Sequence, residues 1–260
     1  MFLLTNLLAT AEEMTELMTW ILIGVIAVLV IVTAVICIVN KKFSTREIAY
    51  AGVCLAASFV LSFIKFTPVQ YGGSITLASF VPVLIYAYKY GAIKGTLVGL
   101  VFGLLNFISG GYFLTPLSFV LDYPLAFASI GLMGFASKFG KLPLAAKVCI
   151  GTLLVYVLRF IFHMLSGFIY FAEDAIWADL PTTNMFVYSF VYQCVYIPAD
   201  CVIAAVVLVI LAQTKALDRL FDMMDKKQAV KNEEVPEAAA AEPVDVKENT
   251  EDVKKDNSAE

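Results

Sequence analysis

Long apolar segments separated by short polar or basic connections dominate the pattern of the chain. Seven of them qualify as candidate membrane spans: Trp20–Val39, Ile48–Ile64, Ile75–Tyr88, Thr96–Ile108, Ser118–Ser137, Lys147–Tyr170 and Phe186–Ala212. A bilayer core needs about 20 residues of helix to cross it, so the third and fourth segments are short. Gly91, Gly110 and Gly111 mark the turns around them. The pattern predicts an all-α integral membrane protein.

Composition supports this fold class. The chain is 60% hydrophobic and 15% charged, whereas a soluble domain has roughly 45–50% apolar and about 25% charged residues. This excess excludes a cytosolic enzyme, a nucleic-acid-binding protein and a disulfide-stapled secreted module. The five cysteines all lie in apolar segments without C-x-x-C spacing, so we predict neither a metal site nor a disulfide framework.

The carboxyl-terminal segment has a different composition. Residues 226–260 contain ten acidic and six basic side chains, which accounts for the whole net charge of −4. The segment is rich in Ala, Pro and Glu and has almost no large apolar residue, so burial cannot offset the entropy of ordering it. We predict a disordered acidic tail.

The distribution of Lys and Arg predicts the orientation in the membrane. If the connection from Lys41 to Arg46 is cytoplasmic, nearly all other basic residues also fall on that side, and only Lys65 lies in an outer loop. Acidic residues 12, 13, 16, 173, 174 and 179 then lie outside. We therefore expect a multi-pass protein of the cell membrane with its amino terminus outside and its tail in the cytoplasm.

Ionisable residues inside apolar spans are costly and suggest function. Asp122 lies early in the fifth span, Arg159 and His163 lie one helical turn apart on the sixth, and Asp200 lies midway along the seventh. An internal ion pair of Arg159 with either acid would be a purely structural explanation. Aromatic residues cluster near the outer ends of the same spans: Tyr112, Tyr123, Tyr170, Phe171, Trp177, Tyr188 and Tyr192. Acid, imidazole and rings together are typical of a site for a flat cationic heteroaromatic ligand.

Motifs of enzymes are absent. The sequence has no G-x-x-x-x-G-K-[ST], no H-E-x-x-H and no G-x-S-x-G. We expect a protein that is not an enzyme and holds no metal or cofactor, so that any ATP hydrolysis would require a separate polypeptide.

Four blocks of sequence resemble one known family. They are GGSITLASFVPVLIYAYKYG (Gly72–Gly91), GGYFLTPLSFVLDYPLAFASIGL (Gly110–Leu132), RFIFHMLSG (Arg159–Gly167) and YSFVYQCVYIP (Tyr188–Pro198). In order and spacing they are similar to the thiamine-specific substrate-binding (S) subunits of energy-coupling-factor (ECF) transporters. The resemblance implies a six-helix core over residues 43–225 with high affinity for thiamine at the extracellular face. It also implies partners, namely one transmembrane coupling subunit and two ATPase subunits. The first 42 residues would add one further transmembrane helix.

The same resemblance implies a set of ligand-binding residues: Tyr112, Asp122, Tyr123, Arg159, His163, Gly167, Phe171, Tyr188 and Gln193. Asp122 stands where close relatives have Glu, and Gln193 stands where they have Asn. Arg159 replaces a Lys and Phe171 replaces a stacking Trp of some relatives. Gly52 and Ala56 have small-xxx-small spacing on the second span, which allows close approach of another helix, either from the same chain or from another subunit. The resemblance implies that this face contacts the coupling subunit.

Other functions fit the same residues. The chain could be an S subunit for another heteroaromatic vitamin or a thiamine precursor. A non-transporting membrane scaffold would use Asp122, Arg159 and His163 only as an ion-pair network. A proton-coupled secondary transporter would use His163 or Asp200 as a proton relay. Ligand binding in detergent without ATP or a gradient separates these hypotheses.

Overall fold

A computed structural model describes residue 24 and residues 43–68, 73–112, 115–170 and 184–234. Several predictions lie outside these ranges: the first span Trp20–Val39 apart from residue 24, the site residue Phe171, and Trp177. The part of the acidic tail that follows Glu234 is also outside them.

The described chain is mostly helical. In chain order its elements are α1 (Thr45–Ser62), β1 (Lys65–Pro68), β2 (Ser74–Thr76), α2 (Val81–Tyr90), α3 (Ala92–Ile108), α4 (Pro116–Ala136), α5 (Leu144–Tyr170), α6 (Met185–Gln213) and α7 (Ala216–Glu234). Among the described residues, three helices are long and apolar enough to cross a bilayer: α4, residues 144–168 of α5, and residues 186–213 of α6. The protein is therefore a helical membrane protein.

A polar cap fixes the beginning of α1. The Ser44 hydroxyl accepts from the backbone N–H of Arg46, and Glu47 Oε2 accepts from the backbone N–H of Ser44 at 2.9 Å. The second carboxylate oxygen of Glu47 accepts from Lys94 Nζ of α3 at 2.6 Å. One side chain thus satisfies a free amide of the helix end and ties α1 to α3.

A short antiparallel hairpin follows α1. Strand β1 pairs with β2, with Lys65 opposite Thr76 and Pro68 opposite Ser74. The predicted start of the third span at Ile75 is therefore wrong, because Ile75 and Thr76 belong to a strand. Helix α2 begins at Val81, and a proline occupies its first turn. Proline is tolerated there because the first amides of a helix have no partner within the helix.

Helix α4 is irregular where it carries its acidic residue. Residues Leu121–Leu125 form a π-helical turn, in which the Ala126 N–H donates to the carbonyl oxygen of Leu121 five residues back. Pro124 lies inside this turn. Its missing N–H and its ring disfavour a regular α-helix. The wider turn brings Asp122 and Phe127, five residues apart, to the same cavity.

Glycines allow α3 to approach α4 closely. A Cβ at Gly99 would overlap the carbonyl oxygen of Phe127, and one at Gly103 would lie 2.6 Å from the carbonyl oxygen of Tyr123. Four-residue spacing puts both glycines on one face of α3. The contact fixes the position of the π turn relative to α3.

Helix α7 begins shortly after α6. It extends to Glu234, so the boundary predicted at Lys226 falls inside a helix. Asp218, Asp222 and Asp225 are exposed on this helix.

Candidate functional site

One cavity gathers the polar residues of the membrane helices. It lies at the end of the bundle where the hairpin follows α1, and its volume is about 130 Å³. A single water needs about 10–15 Å³ on the same measure, so the cavity has room for a small organic ligand. All the predicted ligand-binding residues within the described ranges line it: Tyr112, Asp122, Tyr123, Arg159, His163, Gly167, Tyr188 and Gln193.

Asp122 is held by two donors from α5. Its Oδ1 lies 2.9 Å from His163 Nδ1, and its Oδ2 accepts from the Ser166 hydroxyl at 2.6 Å. Arg159 Nε donates to His163 Nε2 at 3.3 Å. Since an arginine can only donate, His163 Nε2 is the acceptor and the proton lies on Nδ1, which donates to Asp122. The imidazole is therefore neutral and orients the carboxylate.

Arg159 pairs with Asp200. Its Nη1 lies 3.6 Å from Asp200 Oδ2. The guanidinium also lies over two rings, with its central carbon 4.3 Å from the ring centre of Phe80 and 5.0 Å from that of Phe127. Of the two partners that the sequence left open for Arg159, the structure has Asp200, and His163 stands between Arg159 and Asp122.

Asp200 joins three elements of the fold. The side chain is 3% exposed, and its Oδ2 accepts from the Tyr156 hydroxyl of α5 at 2.8 Å. Its Oδ1 accepts from the hydroxyl and the backbone N–H of Thr76, at 2.9 and 3.1 Å. Every oxygen of this buried carboxylate therefore has a donor, as burial of a charge requires.

Tyrosine side chains form much of the wall. The Tyr123 hydroxyl accepts from the backbone N–H of Tyr112 at 2.8 Å and donates to its carbonyl oxygen at 3.1 Å. On α6, the rings of Tyr188 and Tyr192 stack with their centres 6.3 Å apart. The Tyr192 hydroxyl accepts from the backbone N–H of Gly73 at 3.2 Å, which attaches the hairpin to α6.

Close packing of α5 on α6 completes the cavity. A Cβ at Gly167 would overlap the Ser189 hydroxyl, which donates to the Met164 carbonyl at 2.8 Å. Gln193 Nε2 donates to the His163 carbonyl at 3.3 Å, and its Oε1 accepts from the Tyr196 hydroxyl at 2.7 Å. Gln193 thus bridges α5 and α6 beside the imidazole.

The structure adds lining residues that the sequence did not single out as ligand-binding residues. They include Thr76, Ser79, Asn106, Tyr192, Tyr196 and Asp200. Tyr192 and Tyr196 extend the four-residue spacing that begins at Tyr188, and this spacing was the available signal for them. Thr76 and Ser79 carried no such signal, because both lay within the predicted span Ile75–Tyr88.

The arrangement suits recognition of a cationic, aromatic, hydrogen-bonding molecule. A fixed carboxylate provides a counter-charge, tyrosine faces provide stacking and cation–π surfaces, and amide and hydroxyl groups provide polar contacts. The bonds among Asp122, His163 and Arg159 are all within the wall of a cavity.

Comparison with known proteins identifies the family. Residues 48–219 match the model of the thiamine transporter protein family (Thia_YuaJ), so the chain belongs to that family and the predicted membership is confirmed. The chain is 29% identical over 190 residues to the thiamine transporter ThiT of Bacillus subtilis, which covers 67% of this chain and 94% of that protein. It is 28% identical over 123 residues to ThiT of Lacticaseibacillus paracasei, which covers 43% of this chain and 59% of that protein.

A solved structure supports the fold. ThiT from Listeria monocytogenes superposes with a TM-score of 0.58 at 24% sequence identity, and the match covers 67% of this chain and 96% of that one. The similarity establishes a common membrane fold. The relatives are named as transporters, which agrees with the absence of enzyme motifs.

Proposed function

We propose that this protein is the thiamine-binding S subunit of an ATP-driven ECF importer and captures thiamine with high affinity at the extracellular face. Membership in the thiamine transporter family supports the ligand. The distribution of Lys and Arg supports the proposed orientation, with the amino terminus outside and the tail, residues 226–260, in the cytoplasm.

The observation that carries the proposal is the fixed carboxylate of Asp122 in a cavity with tyrosine walls. Thiamine combines a cationic thiazolium ring with an aminopyrimidine that donates and accepts hydrogen bonds. A carboxylate matches the charge and the donors, and the rings of Tyr112, Tyr123 and Tyr188 offer stacking surfaces. Phe171 remains a further proposed stacking residue.

The architecture we propose is a six-helix core over residues 43–225, one additional helix before it and an acidic tail after it. No nucleotide-binding motif occurs in the chain, so two separate ATPase subunits would supply the energy through a coupling subunit in the membrane. Gly52 and Ala56 would contact that subunit. Both are exposed among the described residues, and a Cβ at Gly52 would have no atom within 4 Å.

Calorimetric titration of the purified chain in detergent with thiamine, without ATP or an ion gradient, tests the proposal. We expect saturable tight binding at one site, and much weaker binding of pyridoxine, a smaller heteroaromatic vitamin. Preference for another vitamin would reassign the substrate. A folded protein that binds none of them would favour the scaffold hypothesis, in which the polar network serves packing alone.

A further inference from the structure

We infer that Asp200 is a positioning residue that makes the cavity selective for cations by holding the positive charge of Arg159 away from Asp122. The inference rests on the proposed function, since it explains how that site distinguishes a charged ring from an uncharged one.

The described part of the cavity wall has more negative than positive charge. Its buried or half-buried charged groups are two carboxylates, Asp122 and Asp200, and one guanidinium, Arg159. His163 is neutral in the hydrogen-bonding pattern of the wall. Lys65 also lines the cavity but is exposed, so solvent screens its charge. The interior of the wall therefore has a net charge of −1, which is complementary to a monovalent cation.

The guanidinium of Arg159 faces Asp200 and not Asp122. Arg159 Nη1 is directed to Asp200 Oδ2 at 3.6 Å, and the group lies over the Phe80 ring. His163 separates it from Asp122, because Arg159 Nε reaches only the far nitrogen of the imidazole. Asp122 is thus left without a positively charged partner among the described residues that bond to it. A ligand cation can then supply the positive charge that Asp122 lacks.

Hydrogen bonds from two other elements hold the Asp200 side chain. Tyr156 and Thr76 together give this carboxylate three hydrogen bonds besides the ion pair. These bonds hold the carboxylate in place beside the guanidinium, so its negative charge offsets the positive charge of Arg159 locally. Without the negative charge of Asp200, the interior of the wall would have no net charge. The guanidinium of Arg159 would then compete with a ligand cation for electrostatic attraction to Asp122.

The test compares the affinities of two ligands by calorimetry. One is thiamine, and the other is an analogue in which an uncharged thiophene ring replaces the thiazolium ring. The measured quantity is the ratio of the Kd of the neutral analogue to the Kd of thiamine. In Asp200→Asn, which keeps an oxygen acceptor for the Tyr156 hydroxyl, we expect this ratio to fall about tenfold or more, the scale of one unit charge several ångströms away at an effective dielectric constant of about 20.

A double variant separates selectivity from a structural role. Arg159→Gln with Asp200→Asn removes both charges and leaves the net charge at −1, so the ratio should return towards that of the unmodified protein. Arg159→Gln alone leaves a net charge of −2, so its ratio should be higher than that of the unmodified protein and that of the double variant. Asp218→Asn, at an exposed carboxylate of α7, is the matched control and should leave the ratio unchanged.

Several results would overturn the inference. One is a folded Asp200→Asn variant in which the affinities for both ligands fall by the same factor. Another is a double variant in which the ratio of the two Kd values stays as low as in Asp200→Asn. If Asp200→Asn does not fold, Arg159→Gln is compared with the double variant, and equal ratios would contradict it. Failure of the unmodified protein to bind thiamine would instead contradict the proposed function.

Discussion

Asp122 illustrates how the site is preorganised at the scale of single residues. Both carboxylate oxygens accept hydrogen bonds from one helix, α5, through His163 and Ser166. The acid is therefore oriented before a ligand arrives, and little side-chain entropy remains to be lost on binding. A shorter acid than Glu is compatible with this arrangement, because its donors lie on the helix that faces it.

Asp122→Asn should weaken thiamine binding by about 1.5–3 kcal/mol, the scale of a hydrogen bond to a charged group. The amide has nearly the shape of the acid, so the fold should persist. Titration of the variant against thiamine measures the effect. Asp222→Asn, at an exposed acid of α7, is the control and should leave the affinity unchanged. Unchanged affinity in a folded Asp122→Asn variant would show that Asp122 is not part of the site.

Residue types predicted which residues form this polar cluster, but they did not predict which of these residues pair with each other. The sequence identified Asp122, Arg159 and His163, because charged groups are costly in apolar spans. It could not choose between two acids for Arg159, since that depends on how α4 and α6 are placed around α5. The role of Asp200 in joining Thr76 to α5 was also missed, because a hairpin in this region gives no sign in the hydrophobic pattern.

At the scale of elements, the contact between α5 and α6 determines the shape of the cavity. Gly167 and Ser189 bring the helices together, and Gln193 spans them a turn further along α6. A side chain at Gly167 would separate the helices where both line the site.

Gly167→Ala should therefore reduce stability by about 1–3 kcal/mol, as overpacking of a close contact does. It should also weaken thiamine binding, since His163 and Gln193 would move apart. Thermal unfolding in detergent and titration measure the two effects. Adding Ser189→Ala removes the overlapping hydroxyl and should recover part of both losses. No recovery would mean that the glycine acts through another contact.

The long helices could be predicted from the sequence and the short irregular elements could not. The predicted spans Lys147–Tyr170 and Phe186–Ala212 differ from α5 and α6 by a few residues, because apolar runs of this length have few alternatives in a membrane. Ile75 and Thr76 of the strand Ser74–Thr76 were included in a predicted span because they are continuous with the apolar run of α2. Pro124 disfavours a regular α-helix, but it does not by itself select a π turn over a kink or a break, so this turn could not be predicted from the sequence.

At the scale of the whole molecule, α1 presents an apolar face that the described residues leave uncovered. Ile48, Val53 and Val60 are exposed on it, beside Gly52 and Ala56. Lipid or another membrane helix can cover such a face, and small residues favour close approach of a helix. This distribution is consistent with the proposed docking of a coupling subunit.

Gly52→Leu and Ala56→Trp should each abolish thiamine uptake by cells that carry the complete importer, because bulk on this face prevents close helix contact. Binding of thiamine to the purified variants should be retained. Val202→Trp, at an exposed apolar position of α6, is the control and should retain both activities. Loss of binding together with uptake would show that this face of α1 stabilises the fold instead.

The π turn of α4 has a consequence for helical phase. A regular helix advances about 100° per residue, so Asp122 and Phe127 would differ by roughly 500°, well away from the same face. Because the wider turn absorbs one residue, both side chains reach the cavity. Pro124→Ala removes the local obstacle to a regular helix and should reduce thiamine affinity. Additional deletion of Leu125 would leave Asp122 and Phe127 four residues apart in a regular helix, which puts them on the same face again. Titration should then show that thiamine affinity recovers. If Pro124→Ala binds thiamine normally, contacts with α3 alone maintain the turn.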